Sequence, residues 1–274
     1  MLYTELYTDK FIRDRKHLIG KYPHTWGKVR VKNLDGLPII ELPSPQLLAG
    51  FAGYLKNQCS TRVFFRGEKS YHKTTIPSLF REIDGDFSTE ISKRKKAFDV
   101  LVGKISEYKP SRFQREDIKP LLQHYGVKTD WIDLVENIFV ALWFSNNHSH
   151  EKFSYIKFFI ESNNVCELII KNIIEENSSL SLRAHCQHGI SATKKVDQWS
   201  IENIDFNSNL IAIAKLPNNQ ANRLEGYIFS RSFMFPDVEL DNTYKILKRK
   251  DVQKLLDEIT EDSGLEKEVL GTIS

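Results

Sequence analysis

An α+β fold is expected for this chain, and three observations point to it. Apolar runs of strand length are interspersed with amphipathic helical stretches. The two types follow one another irregularly, unlike the strict strand–helix repeat of a doubly wound parallel sheet. The composition is globular, with 41% hydrophobic and 27% charged residues in 274, which fits one large domain or one domain with extensions. Neither an internal repeat nor a low-complexity linker divides it.

Residues 1–43 hold short polar and aromatic pieces with Pro23, Pro38 and Pro43, and read as an irregular lead-in. Ser44-Pro45 supplies an N-cap followed by proline at the first helical position. Leu47, Leu48, Phe51 and Leu55 share one face of the helix that follows. Arg62 to Arg66 reads as a buried strand. Ser88 to Tyr108 is the clearest amphipathic helix, with Ile91, Phe98, Leu101, Val102 and Ile105 inward. Ile118 to Tyr125 is a shorter helix, with Gly126 where a C-cap belongs. Thr129 to Val135 reads as a strand, Asn137 to Ser145 as a buried helix. Strands follow at Tyr155 to Ile160, Cys166 to Ile170 and Leu210 to Leu216, the last closed by Pro217. Asp241 to Leu247 and Asp251 to Ile259 are helical, each opening on an aspartate suited to capping. The main domain is therefore placed at 44–245, with a helical extension at 246–274.

The net charge of +3 and pI near 8.6 are too mild to announce a nucleic-acid binder. The basic clusters Lys93-Arg94-Lys95-Lys96 and Lys248-Arg249-Lys250 read as solvated helix faces, so weak, non-specific nucleic-acid binding is expected of them. Cys59, Cys166 and Cys186 are odd in number and scattered, which argues for a reducing compartment. The first ten residues carry no basic and apolar export pattern. The longest apolar stretch, Ile138 to Phe144, is far short of a membrane span. A cytoplasmic protein without a membrane partner is the expectation. His185 and His188 are three apart, too few ligands to close a zinc site, so no metal is expected. Gly67-Glu68-Lys69-Ser70 ends like a phosphate loop but lacks the first glycine, and reads as a turn.

The most informative segment is Phe65-Arg66-Gly67 at the end of the apolar run Val63-Phe64-Phe65. Arginine is hard to bury without an anionic partner, and glycine lets a backbone or a ligand come close. Further on come Gln123-His124-Tyr125-Gly126, then Asp133, Asn137 and Ala141-Leu142-Trp143-Phe144-Ser145. Leu182-Arg183 is followed by Gln187-His188-Gly189, and last comes Phe235-Pro236-Asp237. In order and spacing, over about residues 60–245, these segments resemble the FRG domain, which is named after Phe-Arg-Gly. The chain departs from that pattern at Lys128-Thr129-Asp130, Leu134-Val135 and Ile138, around an Asp133 that stays in register.

FRG domains are remotely similar to the ADP-ribosyltransferase fold. The resemblance therefore implies a split sheet core flanked by helices, NAD as substrate, and ADP-ribose transfer to a protein or nucleic-acid acceptor. A role as a toxin or in bacterial defence would suit such an activity. By this resemblance Arg66, Asp133 and Gln187 are the candidate catalytic residues. Arg66, Gly67, Tyr125 and Trp131 are the candidates for binding NAD, with an aromatic wall for nicotinamide at Tyr125 or Trp131. The carboxy-terminal catalytic glutamate of many such enzymes has no clear counterpart, Glu225 being nearest in position. Two other readings stay open. Arg66 and Asp133 fit a structural ion pair as well, and the whole constellation fits a non-catalytic module that holds a nucleotide or nucleic acid. The two aromatics fit core positions, and Gln187 fits a turn cap.

Overall fold

The computed structural model describes residues 29–34, 36–108, 115–161, 168–172, 181–196, 200–219, 224, 229–266 and 268–273. In chain order the elements are β1 (Arg30–Leu34), β2 (Leu37–Glu41), α1 (Pro45–Gln58), β3 (Val63–Glu68), α2 (Phe87–Glu107), α3 (Arg115–Gln123), β4 (Ile132–Val135), α4 (Ile138–Asn146), β5 (Phe153–Ile160), β6 (Ile169–Asn172), α5 (Leu182–Cys186), β7 (Gly189–Thr193), α6 (Ile201–Ile204), β8 (Leu210–Pro217), α7 (Arg231–Met234), α8 (Asn242–Leu247) and α9 (Lys250–Asp262). The fold is α+β. No helix of the described residues is long and apolar enough to cross a membrane.

The chain forms two compact units, each assembled from three stretches of sequence. The first comprises residues 1–75, 134–168 and 206–229. Its strands are hydrogen-bonded in the order β1-β2-β8-β5-β3, with Phe65 of β3 opposite Val135 at the end of β4. Among the described residues of this unit only the β2–β8 pair is parallel. The expectation that the Phe-Arg-Gly strand and the strand ending at Val135 are neighbours therefore holds. Helix α1 is capped by the Ser44 side chain with Pro45 in its first turn, as the sequence predicts. Its Phe51 meets Phe158 of β5 edge-on, and Phe158 meets Phe65 of β3 in the same manner. Helix α4, capped by Asn137, packs on β3 and β5.

The lead-in expected to be irregular contains the antiparallel pair β1–β2. Leu37, Ile39 and Ile40 are buried, and Gly36 between the strands has a positive φ of 81°. The prolines of this region hid an available signal, the Asp35-Gly36 dipeptide ahead of the apolar stretch Leu37-Pro38-Ile39-Ile40. Pro38 is tolerated because it stands at the start of β2, ahead of the pairing with β8 that begins at Ile39.

The second unit comprises residues 76–133, 169–205 and 230–274. Its core gathers Ile91, Phe98, Leu101, Val102 and Ile105 of α2, the inward face expected for that helix, with Leu121 and Leu122 of α3. Val252, Leu256 and Ile259 of α9 enter the same cluster, so residues 246–274 complete this core instead of extending from it. The strands β6 and β7 pair antiparallel. Gly126 follows α3 with φ 92°, as a C-cap requires. The aspartates differ from each other: Asp241 caps α8 through Tyr244 N, whereas Asp251 lies inside the first turn of α9, whose N-cap is Arg249. Within the expected strand starting at Cys166, residue 166 lies outside the described residues.

The cluster Lys93-Arg94-Lys95-Lys96 is not the uniformly solvated face expected. Arg94 is buried, and its guanidinium donates to the carbonyls of Leu79, Arg81 and Glu82 and to the Glu90 carboxylate. Lys93 donates to Gly264 O and Lys95 to Asp130 Oδ2. A charge on a helix whose neighbouring turn offers bare carbonyls is drawn inward, which a charge run in sequence does not reveal. Lys96 alone of the four is exposed.

Candidate functional site

Arg66 and Gly67 fall in the first unit; Tyr125, Trp131, Asp133 and Gln187 fall in the second. Each group is built by its own elements.

In the first unit the strand register decides which side chains meet. Arg66 of β3 stands opposite Lys157 of β5, and Glu68 opposite Tyr155. Side chains alternate across a strand, so Arg66, Glu68 and Lys157 share one face while Phe65 and Gly67 share the other. Glu68 links the two cations: its Oε1 lies 3.3 Å from Arg66 Nε and its Oε2 3.1 Å from Lys157 Nζ. Lys157 is 0% exposed, Arg66 18%. The lysine also donates to His72 O and Thr75 Oγ1, both at 2.8 Å, and to Thr74 O at 3.3 Å. It thus fastens the 72–75 segment over β5. Lys157 is the residue the sequence reading missed, although a single cation inside Tyr155-Ile156-Lys157-Phe158-Phe159-Ile160 was a visible sign of a paired buried charge.

Of the two approaches expected at the Phe-Arg-Gly glycine, a backbone or a ligand, the fold supplies a backbone. A β-carbon at position 67 would lie 1.9 Å from the carbonyl oxygen of Ala141 and 2.9 Å from Ser145 N. What approaches Gly67 is the backbone of α4. The strand also runs to Glu68, two residues past Arg66, so Arg66 is an interior strand position.

In the second unit the quoted segments are joined by buried polar contacts. Tyr125 is fully buried; its hydroxyl donates to Asp241 Oδ2 at 2.7 Å and lies 2.8 Å from Ser181 Oγ. Burial, then the Asp241 charge, push its phenol well above the ordinary tyrosine range. Asp241 Oδ2 also accepts from Arg183 N. The Arg183 guanidinium donates to His124 O at 3.0 Å and lies over the rings of Tyr125, Phe235 and Tyr244. Tyr125 is therefore a core residue, and no face of it is open to a nicotinamide. Trp131 is buried too, which gives it a core position instead of an open wall.

Gln187 and Asp133 are brought together through His124. Gln187, buried at the C-cap of α5, places Oε1 3.0 Å from His124 Nδ1 and donates from Nε2 to Met234 O at 2.8 Å. The other ring nitrogen, His124 Nε2, lies 3.7 Å from Asp133 Oδ1. The imidazole lies close against Gly189, where a β-carbon would come within 2.4 Å of His124 Cε1. Gln187-His188-Gly189 is thus a cradle for one histidine: the amide orients it and the glycine makes room for it. His188 between them has φ 49°, a left-handed turn residue. Asp133 differs from its companions in keeping 40% of its side chain exposed. Cys186, next to this cradle, is raised above the ordinary thiol range, by burial first and by Asp241 second, so a thiolate nucleophile is disfavoured there. Glu225 lies outside the described residues.

Comparison with known families identifies part of this arrangement. Residues 61–153 match the FRG domain. The matched FRG segment takes in Arg66, Gly67, His124, Tyr125, Trp131 and Asp133, and ends before Gln187. No curated protein and no solved structure matches the chain.

Proposed function

We propose that this FRG-domain chain cleaves the bond between nicotinamide and ribose in NAD and delivers the ADP-ribosyl group to water or to a macromolecule, with Asp133 as the carboxylate at the reacting sugar. The observation that carries this reading is that Asp133, alone among the candidates of its unit, combines a partly exposed carboxylate with a buried, oriented partner, His124. Cleavage of this bond leaves positive charge on the ribose ring. A fixed carboxylate next to it stabilises the transition state more than the substrate, which is what lowers the barrier. Arg66 belongs to the first unit and is a separate candidate for holding an anion there, since a guanidinium takes phosphate oxygens in pairs. Such an activity would suit a toxin or a defence effector acting in a reducing compartment.

Asp133→Asn keeps the shape and removes the charge. Cleavage of labelled NAD by this variant is expected to fall by about 10²–10³-fold, the loss typical of one electrostatic group. The measurement is release of labelled nicotinamide, with cell extract present so that transfer to an acceptor is also scored. Equal release by wild type and variant would remove Asp133 from the chemistry. No release by the wild type under any condition would leave the second reading, a nucleotide-holding module. One observation favours that second reading: Tyr125 and Trp131 are both buried, so neither supplies a stacking wall for the leaving group.

A further inference from the structure

We propose that His124 is the proton acceptor behind Asp133, its Nε2 kept bare by Gln187 so that a proton arriving at the carboxylate passes inward to the imidazole. The proposal rests on the NAD-cleaving reading above and adds to it a residue and a direction of proton flow.

The argument begins at Met234. Its carbonyl can only accept, so the Gln187 atom 2.8 Å away must be the amide nitrogen. That orientation turns Oε1, an acceptor, toward His124 Nδ1 at 3.0 Å. Nδ1 must then carry the hydrogen. In a neutral imidazole the second nitrogen is bare, so the lone pair of Nε2 faces Asp133 Oδ1 across 3.7 Å. Among the described residues Nε2 has no hydrogen-bond partner, and it is shut off from solvent. A buried acceptor aimed at a second acceptor is costly, and one proton between the two atoms relieves it. The distance exceeds a hydrogen bond by under an ångström, the looseness usual for catalytic pairs before substrate closes them. Of the charged groups nearby, Asp133 of β4 lies against the ring, Arg183 of α5 donates to the His124 carbonyl, and Asp241 at the start of α8 accepts from the neighbouring Tyr125.

In the reaction, the O–H bond of a water or an acceptor hydroxyl breaks. A lone pair of that oxygen forms the new bond to the ribose carbon, and the O–H bonding pair stays on the oxygen. The carbon–nitrogen bond to nicotinamide breaks with its pair leaving on nicotinamide, and the proton moves through the Asp133 carboxylate to His124 Nε2. Asp133 touches the reacting groups in this scheme; His124 acts through it, as a positioning and proton-accepting residue.

The test is the tautomer of His124 in the full-length, ¹⁵N-labelled chain, read from two-bond proton–nitrogen correlations in alkaline buffer where an imidazole is neutral. Resonances are assigned by their loss in His124→Gln. The expected result is hydrogen on Nδ1 and a bare Nε2 in the wild type. In Gln187→Met the lock is gone, and the hydrogen is expected to move to Nε2, where it donates to Asp133. Hydrogen on Nε2 in the wild type would overturn the proposal, because the pair would then be an ordinary structural hydrogen bond. An unchanged tautomer in Gln187→Met would overturn the role of Gln187; if that variant does not fold, the wild-type spectrum decides. In turnover, His124→Gln is expected to lose about 10²-fold, the lower range for general base catalysis, and an unchanged rate overturns the relay. Absence of NAD cleavage by the wild type would defeat the reading of the preceding subsection while the tautomer still reports on this one.

Discussion

Replacing Gly67 by alanine is expected to unfold the first unit. The added β-carbon would stand 1.9 Å from Ala141 O and 2.9 Å from Ser145 N, both backbone atoms of α4, so no rotamer change relieves the overlap. The helix has to leave the strand, and with it go the contacts that α4 makes with β3 and β5. Ordinary overpacking costs ~1–3 kcal/mol; an overlap with fixed backbone is expected to exceed that range. Gly53 is the internal control. It lies in α1, where a β-carbon would meet nothing within 4 Å, so Gly53→Ala is expected to stabilise by ~0.5–1 kcal/mol through helix propensity. Urea denaturation of both variants is the measurement. A Gly67→Ala protein as stable as the wild type would mean that the helix backbone does not demand this glycine, and would return it to the expected role of admitting a ligand.

How much of this was legible in the sequence depends on the kind of signal. Helices with a cap and a clean apolar face were readable: Ser44-Pro45 opens α1, Asn137 opens α4 and Asp241 opens α8. The β1–β2 pair was not read, because Pro38 suggested irregular chain and the turn signal is a single dipeptide. Motif residues were found by order and spacing, but their physical roles were not. Tyr125 and Gln187 looked like parts of a ligand site, yet Tyr125 is tied to Asp241, and Gln187 with Gly189 seats His124, through contacts between segments far apart in sequence. Local pattern cannot report such contacts. His124 stood inside a quoted motif and was passed over, because its importance lies in the amide behind it and the carboxylate before it. Arg66 illustrates the same limit: its link to Glu68, which also holds Lys157, follows from strand register, which the pattern of one strand does not fix.

Lys157→Met is expected to cost ~3–5 kcal/mol, because it leaves the Glu68 carboxylate buried without one of its cations. The side chain is wholly buried, and its ammonium serves Glu68 Oε2, His72 O, Thr74 O and Thr75 Oγ1 together. Methionine matches the length of the stem and supplies none of these donors. Combining it with Glu68→Gln separates the charge from the remainder. The neutral amide needs no cation, so the double variant should be more stable than the sum of the single effects by ~1–3 kcal/mol, the coupling expected of residues in one network. Full recovery is not expected, since His72 O, Thr74 O and Thr75 Oγ1 still lack the ammonium. The same cycle bears on Arg66, whose Nε lies on the other oxygen of Glu68. If Arg66 belongs to the scaffold, Arg66→Ala should destabilise and couple to Glu68→Gln with similar strength. If it serves an anion, Arg66→Ala should leave the urea midpoint nearly unchanged while binding of inorganic pyrophosphate is lost, because functional polar groups are rarely optimised for stability. Strict additivity of Lys157→Met and Glu68→Gln would show that the carboxylate does not depend on the lysine, and would remove the basis for treating β3 and β5 as joined by charge on this face.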